Sequence, residues 1–445
     1  MSIKPKLNRF DLTMIVISLI IGTGIFKSPG EVALRTGSTQ LFFAAWIVGG
    51  LVTLCGALTF AEIGARYPNT GGFYKLFSYC YHPAFAFMIN WGAVIATTAS
   101  VAAVALIGAE YLNPILLPAS LQNGTGTKIS TIAMVLVVYL INLLGIKTSA
   151  RTQNVLTIFK VGMIVVLCLA IFKSDNTTVI TSAIMPTGNP IASFGLSLVA
   201  VFFTYTGYQQ TINFGGDVID AKRNIPKGIF LGIAIVIAVY MAVNFAYFHV
   251  LGMGGLQQNT GLAAKMASVV FGEVGSKVTS VLMFVSVLAY VNVNIMSVPR
   301  VYYAMAEDGM LPAIFKRVNP RTQAQEFGMS FFVLTILGIL FLVNSFGEVL
   351  NYAMFFETIG LSTAAIAIFV LRKRTRELDG TGIYTIKWFP LVPVIFIATY
   401  WFVTLSIFVA NPKATLVCLS VFVVGLLIYY ATKWNNKLLQ ANSTL

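Results

Sequence analysis

Apolar runs of about twenty residues recur along the whole chain, and no other feature constrains its fold so tightly. A helix needs about 20 residues to cross roughly 30 Å of hydrocarbon. Ile229–Val250 is one such run without a formal charge, and Leu12–Ile21, Ile132–Leu144 and Phe331–Val343 are parts of others. A soluble core cannot cover so many pieces of this length, so the chain reads as an all-α polytopic membrane protein. Composition agrees. Hydrophobic residues make up 57% and charged residues 10%, where a soluble domain carries about 25% charged.

Twelve transmembrane helices are predicted, at roughly 11–35, 40–65, 84–112, 129–145, 152–173, 191–220, 228–252, 274–306, 329–344, 347–371, 388–410 and 414–433. The positive-inside rule fixes their orientation. With the N-terminus inside, 21 of the 29 lysines and arginines fall in cytoplasmic segments and seven outside, with Lys160 left within a span. Both termini are therefore expected in the cytoplasm, in a cell (plasma or inner) membrane. The longest polar stretches are Asn113–Lys128, Lys173–Asn189 and Leu371–Lys387, too short for a separate soluble domain. No small-residue cleavage site follows the first run, so it reads as a retained span.

The net charge of +14 arises from this loop bias. No basic stripe interleaves with stacking aromatics, so a nucleic-acid partner is not expected. The four cysteines have no paired spacing and there are two histidines, so neither metal nor cofactor is predicted. No nucleotide loop, metal cluster or Ser/His/Asp set marks an enzyme. A channel would need a continuous polar or charged ring, which the apolar spans do not offer.

Two spans should not be straight. The first contains Ile21-Gly22-Thr23-Gly24-Ile25-Phe26, and the sixth contains Tyr205-Thr206-Gly207-Tyr208-Gln209-Gln210. Each glycine costs a helix about 1 kcal/mol relative to alanine. Close helix packing is the plainer reading of such glycines. Their positions favour another, since spans one and six correspond if spans 1–5 and 6–10 form two halves. Five is odd, so the second half is inverted, and paired interruptions in inverted halves point to a transport site. A broken helix exposes amides on one side and carbonyls on the other. One break can thus hold the carboxylate and ammonium of a zwitterion. Thr23 and Gly24 suit the carboxylate, with Gly22 and Ile25 beside them in the site. The carbonyls of Ile20, Phe203, Thr204 and Thr206 suit the ammonium, and Tyr208 flanks the same site. Tyr205 and Phe26 are candidate gates.

At these residues the chain resembles the amino acid–polyamine–organocation superfamily of permeases. Ile20 to Phe26 is similar to that family's first-helix glycine motif. Ala61-Glu62-Ile63-Gly64-Ala65-Arg66-Tyr67-Pro68 with Gly71-Gly72-Phe73-Tyr74 resembles the signature after its second helix, and Phe203 to Tyr208 its sixth-helix break. Arg223-Asn224-Ile225-Pro226 resembles the entry to its seventh helix. Pro299-Arg300, Tyr303-Ala304-Met305-Ala306 and Asp308-Gly309-Met310-Leu311-Pro312 resemble the end of its eighth. Where many relatives carry paired acidic residues after the sixth break, this chain reads Gly215-Gly216-Asp217.

The resemblance implies a LeuT-like 5+5 inverted-repeat core with discontinuous helices 1 and 6. The repeats would span 1–173 and 191–371, with two peripheral helices at 388–434. It implies alternating-access transport of amino acids, by proton-coupled symport or by exchange. The low-charge site favours neutral side chains, with cationic amino acids or polyamines as the alternative. Some relatives pair with a single-span glycoprotein, which nothing in this sequence requires.

Six charged residues in or near the spans remain. Lys160 lies about eight residues into span five, where a lysine should face protein or water. Some relatives carry a lysine in this helix, in the place a sodium ion takes in sodium-coupled cousins. By resemblance it should reach the first break near Gly22 and hydroxyls of span eight such as Ser286, and transport should not need sodium. A permanent strut, or a side chain snorkelling to the interface, is the plainer account. Glu357 in span ten is expected to pair with a cation, act as a protonatable gate, or bond to neighbouring helices. Glu62 and Glu110 read as interfacial, and Asp217 and Asp220 as a solvated end of span six.

Overall fold

A computed structural model describes residues 4–118, 121–122, 124–172, 190–258, 262–341, 346–410 and 412–443. Among these the regular structure is helical, with no strand and two isolated β-bridges. The polar stretch Lys173–Asn189 lies outside the described residues.

The helices are α1 Arg9–Ile20, α2 Gly24–Thr36, α3 Thr39–Arg66, α4 Gly72–Cys80 and α5 Pro83–Leu116. They continue as α6 Gly124–Leu143, α7 Ile146–Cys168, α8 Pro190–Tyr205, α9 Ala221–Gln258 and α10 Leu262–Phe271. The last are α11 Gly275–Glu307, α12 Glu326–Ile339, α13 Phe346–Arg374, α14 Leu391–Ala410 and α15 Pro412–Ser443. Local chemistry sets several ends. Asn8 and Asp11 cap each other's backbone amides in a capping box that starts α1. Gly37, at φ 60°, closes α2, and Ser38 accepts from the Leu41 amide to begin α3. Arg372, Lys373 and Arg374 stand at the negative end of α13.

Among the described residues, nine helices are long and apolar enough to cross a membrane: α3, α5, α6, α7, α9, α11, α13, α14 and α15. α1 and α2, bent by 44° at the break between them, are a tenth candidate if the pair is counted as one span. The other two expected spans fall on shorter helices, α8 with 16 residues and α12 with 14. The sixth expected span, 191–220, is interrupted within Tyr205–Gln210, but no second α-helical piece follows the break within that stretch. α8 ends at Tyr205, and Tyr208–Asn213 and Gly215–Asp217 are short 3₁₀ helices of two turns and one.

α11 is the most enclosed span, packed against α5 and α7. α1 and α3 both lie along α9, and α2 lies along α8. α14 and α15 sit outside this group, on α13, α3 and α5. Their outer faces show Trp401, Leu405, Val409, Leu416, Val423 and Leu427, the surface that hydrocarbon covers in a polytopic protein.

Two expectations about charge are corrected here. Glu62 is not an interfacial carboxylate but fully buried, as is Arg66. It accepts from Arg66 Nε (2.7 Å), from Arg372 Nε and Nη2 (2.8 and 2.6 Å) and from the Ile386 amide (2.8 Å). Arg66 continues to Asp379 (2.6 Å) and to Thr375. The cluster ties α3 to α13 and to the loop that follows it. Asp217 is likewise buried, gripped by Arg300 of α11 at 2.6 and 3.1 Å. Its carbonyl takes the Lys6 and Leu7 amides, and the Leu7 carbonyl takes the Ile219 amide. The N-terminal segment is thereby strapped beneath the sixth segment. Sequence alone places such acids near arginines but cannot say that four elements converge on them. Asp220 is exposed, as expected.

Candidate functional site

The two interruptions cross each other. A Cβ added to Gly207 would stand 2.3 Å from the Leu19 carbonyl oxygen, and one on Gly24 would stand 3.2–3.3 Å from Thr204. Gly207 also has φ 120°, which L side chains rarely adopt. Glycine at 207 therefore lets the chain turn out of α8 while its backbone lies against the end of α1. On the other side of the crossing, Gly22 has open space: nothing lies within 4 Å of an added Cβ.

That space is a cavity of about 100 Å³. Ile20, Gly22, Thr23 and Gly24 line it from the first interruption, and Phe203, Thr204, Thr206 and Gly207 from the second. Ser100, Gln210, Ser286, Tyr290, Ala353 and Glu357 complete most of the wall. Thr23 begins α2 without a side-chain cap, so the Gly24 and Ile25 amides remain for an acceptor in the cavity, while the Phe26 amide donates to the Thr23 carbonyl at 3.2 Å. An anion at such a helix start is favoured by both amides and dipole.

The carbonyl side is partly occupied. Tyr240 of α9 places its hydroxyl 3.1 Å from the carbonyl oxygens of both Ile20 and Thr204. One phenol thus bridges the C-terminal ends of α1 and α8. The Phe203 carbonyl takes the Thr206 hydroxyl at 2.9 Å. Each carbonyl oxygen keeps a second lone pair, so these bonds narrow the site for an ammonium without closing it. Thr204 Oγ1 lies 2.7 Å from Ser28 Oγ, joining α8 to α2.

Lys160 is fully buried and reaches the end of α1. Its Nζ donates to the Ile21 carbonyl (2.5 Å), the Ser18 carbonyl (3.4 Å) and Ser18 Oγ (3.3 Å). Asn154 and Thr157 make the preceding contacts of α7 with α1, at Asp11 and Met14. Spacing of three puts Asn154, Thr157 and Lys160 on one helix face. The ammonium therefore meets the partial negative charge where α1 stops. Ser286 lines the cavity but is not a partner of Lys160, because its hydroxyl turns back to the Leu282 carbonyl at 2.8 Å.

The structure separates the aromatic candidates from the cavity. Ile25, Phe26, Tyr205 and Tyr208 are buried, and none lines it. Tyr205 packs with Trp46 and Tyr240, at centroid distances of 6.0 and 5.0 Å. Tyr208 packs on Phe60 and against Gly56. Sequence position beside a break does not reveal which way a ring turns.

Residues that the sequence did not single out matter as much. Gln209 accepts from the Gly207 amide (2.9 Å) and donates to Glu357 (2.6 Å). A second cavity of about 130 Å³ adjoins the first and shares Ser100, Gln210, Tyr290, Ala353 and Glu357 with it. It runs toward Phe73, Phe77, Asn213 and Ser297, on the side of the α3–α4 loop. Tyr240 and Gln209 lie inside an ordinary apolar run and a motif respectively, with no local signal of their own.

Comparison with known proteins agrees with this geometry. The amino acid permease family model matches residues 7–432. The chain is 31% identical to the serine/threonine exchanger SteT of Bacillus subtilis over 437 residues, covering 95% of each chain. It is 26% identical to the methylthioribose transporter of the same organism, over 88% of this chain and 86% of that one. It is 24% identical to the human Asc-type amino acid transporter 1, over 98% of this chain and 84% of that one. The two interruptions, the cavity between them and a match across nearly the whole length converge on one statement: this chain belongs to the amino acid permease family.

Proposed function

We propose that the protein carries small neutral L-amino acids across a cell membrane by alternating access, without sodium. The crossing of two interrupted segments around one cavity carries this reading. Uncapped amides of α2 take the substrate carboxylate, with the Thr23 hydroxyl beside them. The carbonyls at the ends of α1 and α8 take the ammonium. Twelve spans in a LeuT-like 5+5 arrangement, with α14 and α15 peripheral and both termini cytoplasmic, are the corresponding topology.

Lys160 holds the end of α1 with a covalently attached cation, where a sodium-coupled carrier would use a dissolved one. Relatives named as a serine/threonine exchanger and an Asc-type transporter support amino acids as cargo and exchange as the mode. The small cavity favours short side chains. The second cavity, on the side with more loop lysines and arginines, supplies the cytoplasmic exit.

The test is counterflow. Purified protein in liposomes preloaded with unlabelled serine should accelerate uptake of labelled serine in sodium-free buffer. A carrier gives this acceleration and a channel does not. Uptake that requires sodium, or Lys160→Ala with full activity, would contradict the role given to Lys160. No exchange of any amino acid would contradict the reading itself.

A further inference from the structure

Glu357 is the one carboxylate in the cavity wall, and among the described residues no lysine, arginine or histidine pairs with it. Its recorded bond comes from a neutral group, Gln209 Nε2 at 2.6 Å. Lys160, the other deep charge, is committed to Ser18 and Ile21. A carboxylate held inside a membrane protein is costly and marks a functional position whose partner must be found. An ionised carboxylate accepts at about four lone-pair sites, and Gln209 occupies one. Gln209 itself is fixed by the Gly207 amide. The carboxylate is therefore tied to the second interruption, and Glu357 lies where the two cavities meet.

We propose that Glu357 is the side-chain selector of this site, accepting a hydrogen bond from a hydroxyl or ammonium on a short substrate side chain. The inference rests on the reading that the cavity holds the amino acid's own carboxylate and ammonium at the interruptions. A donor at the side-chain end would meet Glu357 across a space of about 100 Å³. A methyl in its place leaves the carboxylate desolvated and unanswered. A site that hydrogen-bonds its substrate rejects the analogue lacking that group far better than an apolar pocket rejects an extra methylene. An acidic side chain would set two negative charges together. Gln209 is a positioning residue, since it holds Glu357 and is not part of the first cavity's wall.

Threonine and valine have nearly the same shape and differ in one hydroxyl, so they isolate this effect. Labelled-alanine counterflow is measured with threonine, valine, 2,3-diaminopropionate or aspartate as competitor. In the wild type, threonine should compete at least about tenfold better than valine, the scale of a hydrogen bond to a charged group. Aspartate should not compete. Glu357→Gln and Glu357→Leu should shrink the threonine-to-valine ratio, and Gln209→Leu should shrink it less. Preference for diaminopropionate over threonine would assign the ammonium as the natural donor, and the reverse the hydroxyl. Either ranking supports the selector.

Equal competition by threonine and valine in the wild type overturns it. So does an unchanged ratio in a Glu357→Leu protein that stays monodisperse. The wild-type ratio decides the matter even if that variant does not fold. Liposomes that exchange no amino acid at all overturn the underlying function, whereas exchange with unmoved ratios overturns only the selector.

Discussion

Gly207 carries two constraints at once, a left-handed φ of 120° and a would-be Cβ 2.3 Å from the Leu19 carbonyl. Gly207→Ala should therefore lower thermal stability in detergent by about 1–3 kcal/mol and abolish counterflow. Gly22→Ala meets open space and should melt like the wild type. Equal melting of both variants would show that the crossing of the interruptions is not sterically defined. At this scale the sequence was partly legible. Both glycine interruptions and about half of the cavity lining were read in advance, whereas the reach of Lys160 to the first interruption came from the family resemblance. Ile25, Tyr208, Phe26 and Tyr205 were not, because one residue's step along a turn decides whether a side chain meets the cavity or the core. The burial of Glu62 and Asp217 was missed for a related reason. Each is silenced by arginines that are 310 and 83 positions away.

Among elements, the bridge from α9 to the ends of α1 and α8 rests on a single hydroxyl. Tyr240→Phe removes it with little change of shape. Loss of a buried hydrogen bond of this kind costs about 1 kcal/mol, read as a lower melting temperature, and exchange should slow because the two ends are no longer joined. Unchanged exchange would show that α1 and α8 move independently of α9. The link between α3 and α13 is stronger. Glu62→Gln leaves Arg66 and Arg372 without their buried counter-charge, and breaking such a pair costs about 3–5 kcal/mol. A melting temperature equal to wild type would refute this. The same cluster has an acid-sensitive edge in the loop after α13. Arg66 holds the Asp379 carboxyl below the usual carboxylate range. Its ionised form is favoured by folding, so that stabilisation is present above about pH 4 and falls as pH drops through the depressed value. Asp379→Asn should flatten that acid slope in melting curves taken from pH 6 to 3. Spans were legible because twenty apolar residues have few other uses. The 3₁₀ course of 208–217 was not, since Tyr208–Asn213 carries no glycine or proline to mark that an α-helix fails to resume after Gly207.

Across the whole molecule, the N-terminal segment, the α3–α4 loop and α11 all meet the stretch that follows the second interruption. Leu7 pairs with Val218, Thr70 with Phe214, and Arg300 with Asp217. Releasing that knot should open the end of the second cavity. With a cysteine placed at Ser297, whose native hydroxyl lines that cavity, Asp217→Asn should speed labelling from the N-terminal side at least several-fold. Unaltered labelling would mean that the strap does not guard the passage. An expected orientation of the whole could be argued in advance, since with the N-terminus inside the lysines and arginines favour the cytoplasmic segments three to one. The strap could not, because backbone pairing between residues some 210 positions apart leaves no mark on either segment.

Lys160 has a last implication, on the role proposed for it. A dissolved cation that helps load a substrate is discharged with it and must be replenished from a gradient. An ammonium bonded to the chain returns with the empty carrier every time. Such a machine has no ionic downhill run to draw on while the lysine stays protonated. It cannot concentrate a neutral cargo against its gradient, so the composition of the two solutions, and not the membrane voltage, decides which way the net traffic goes.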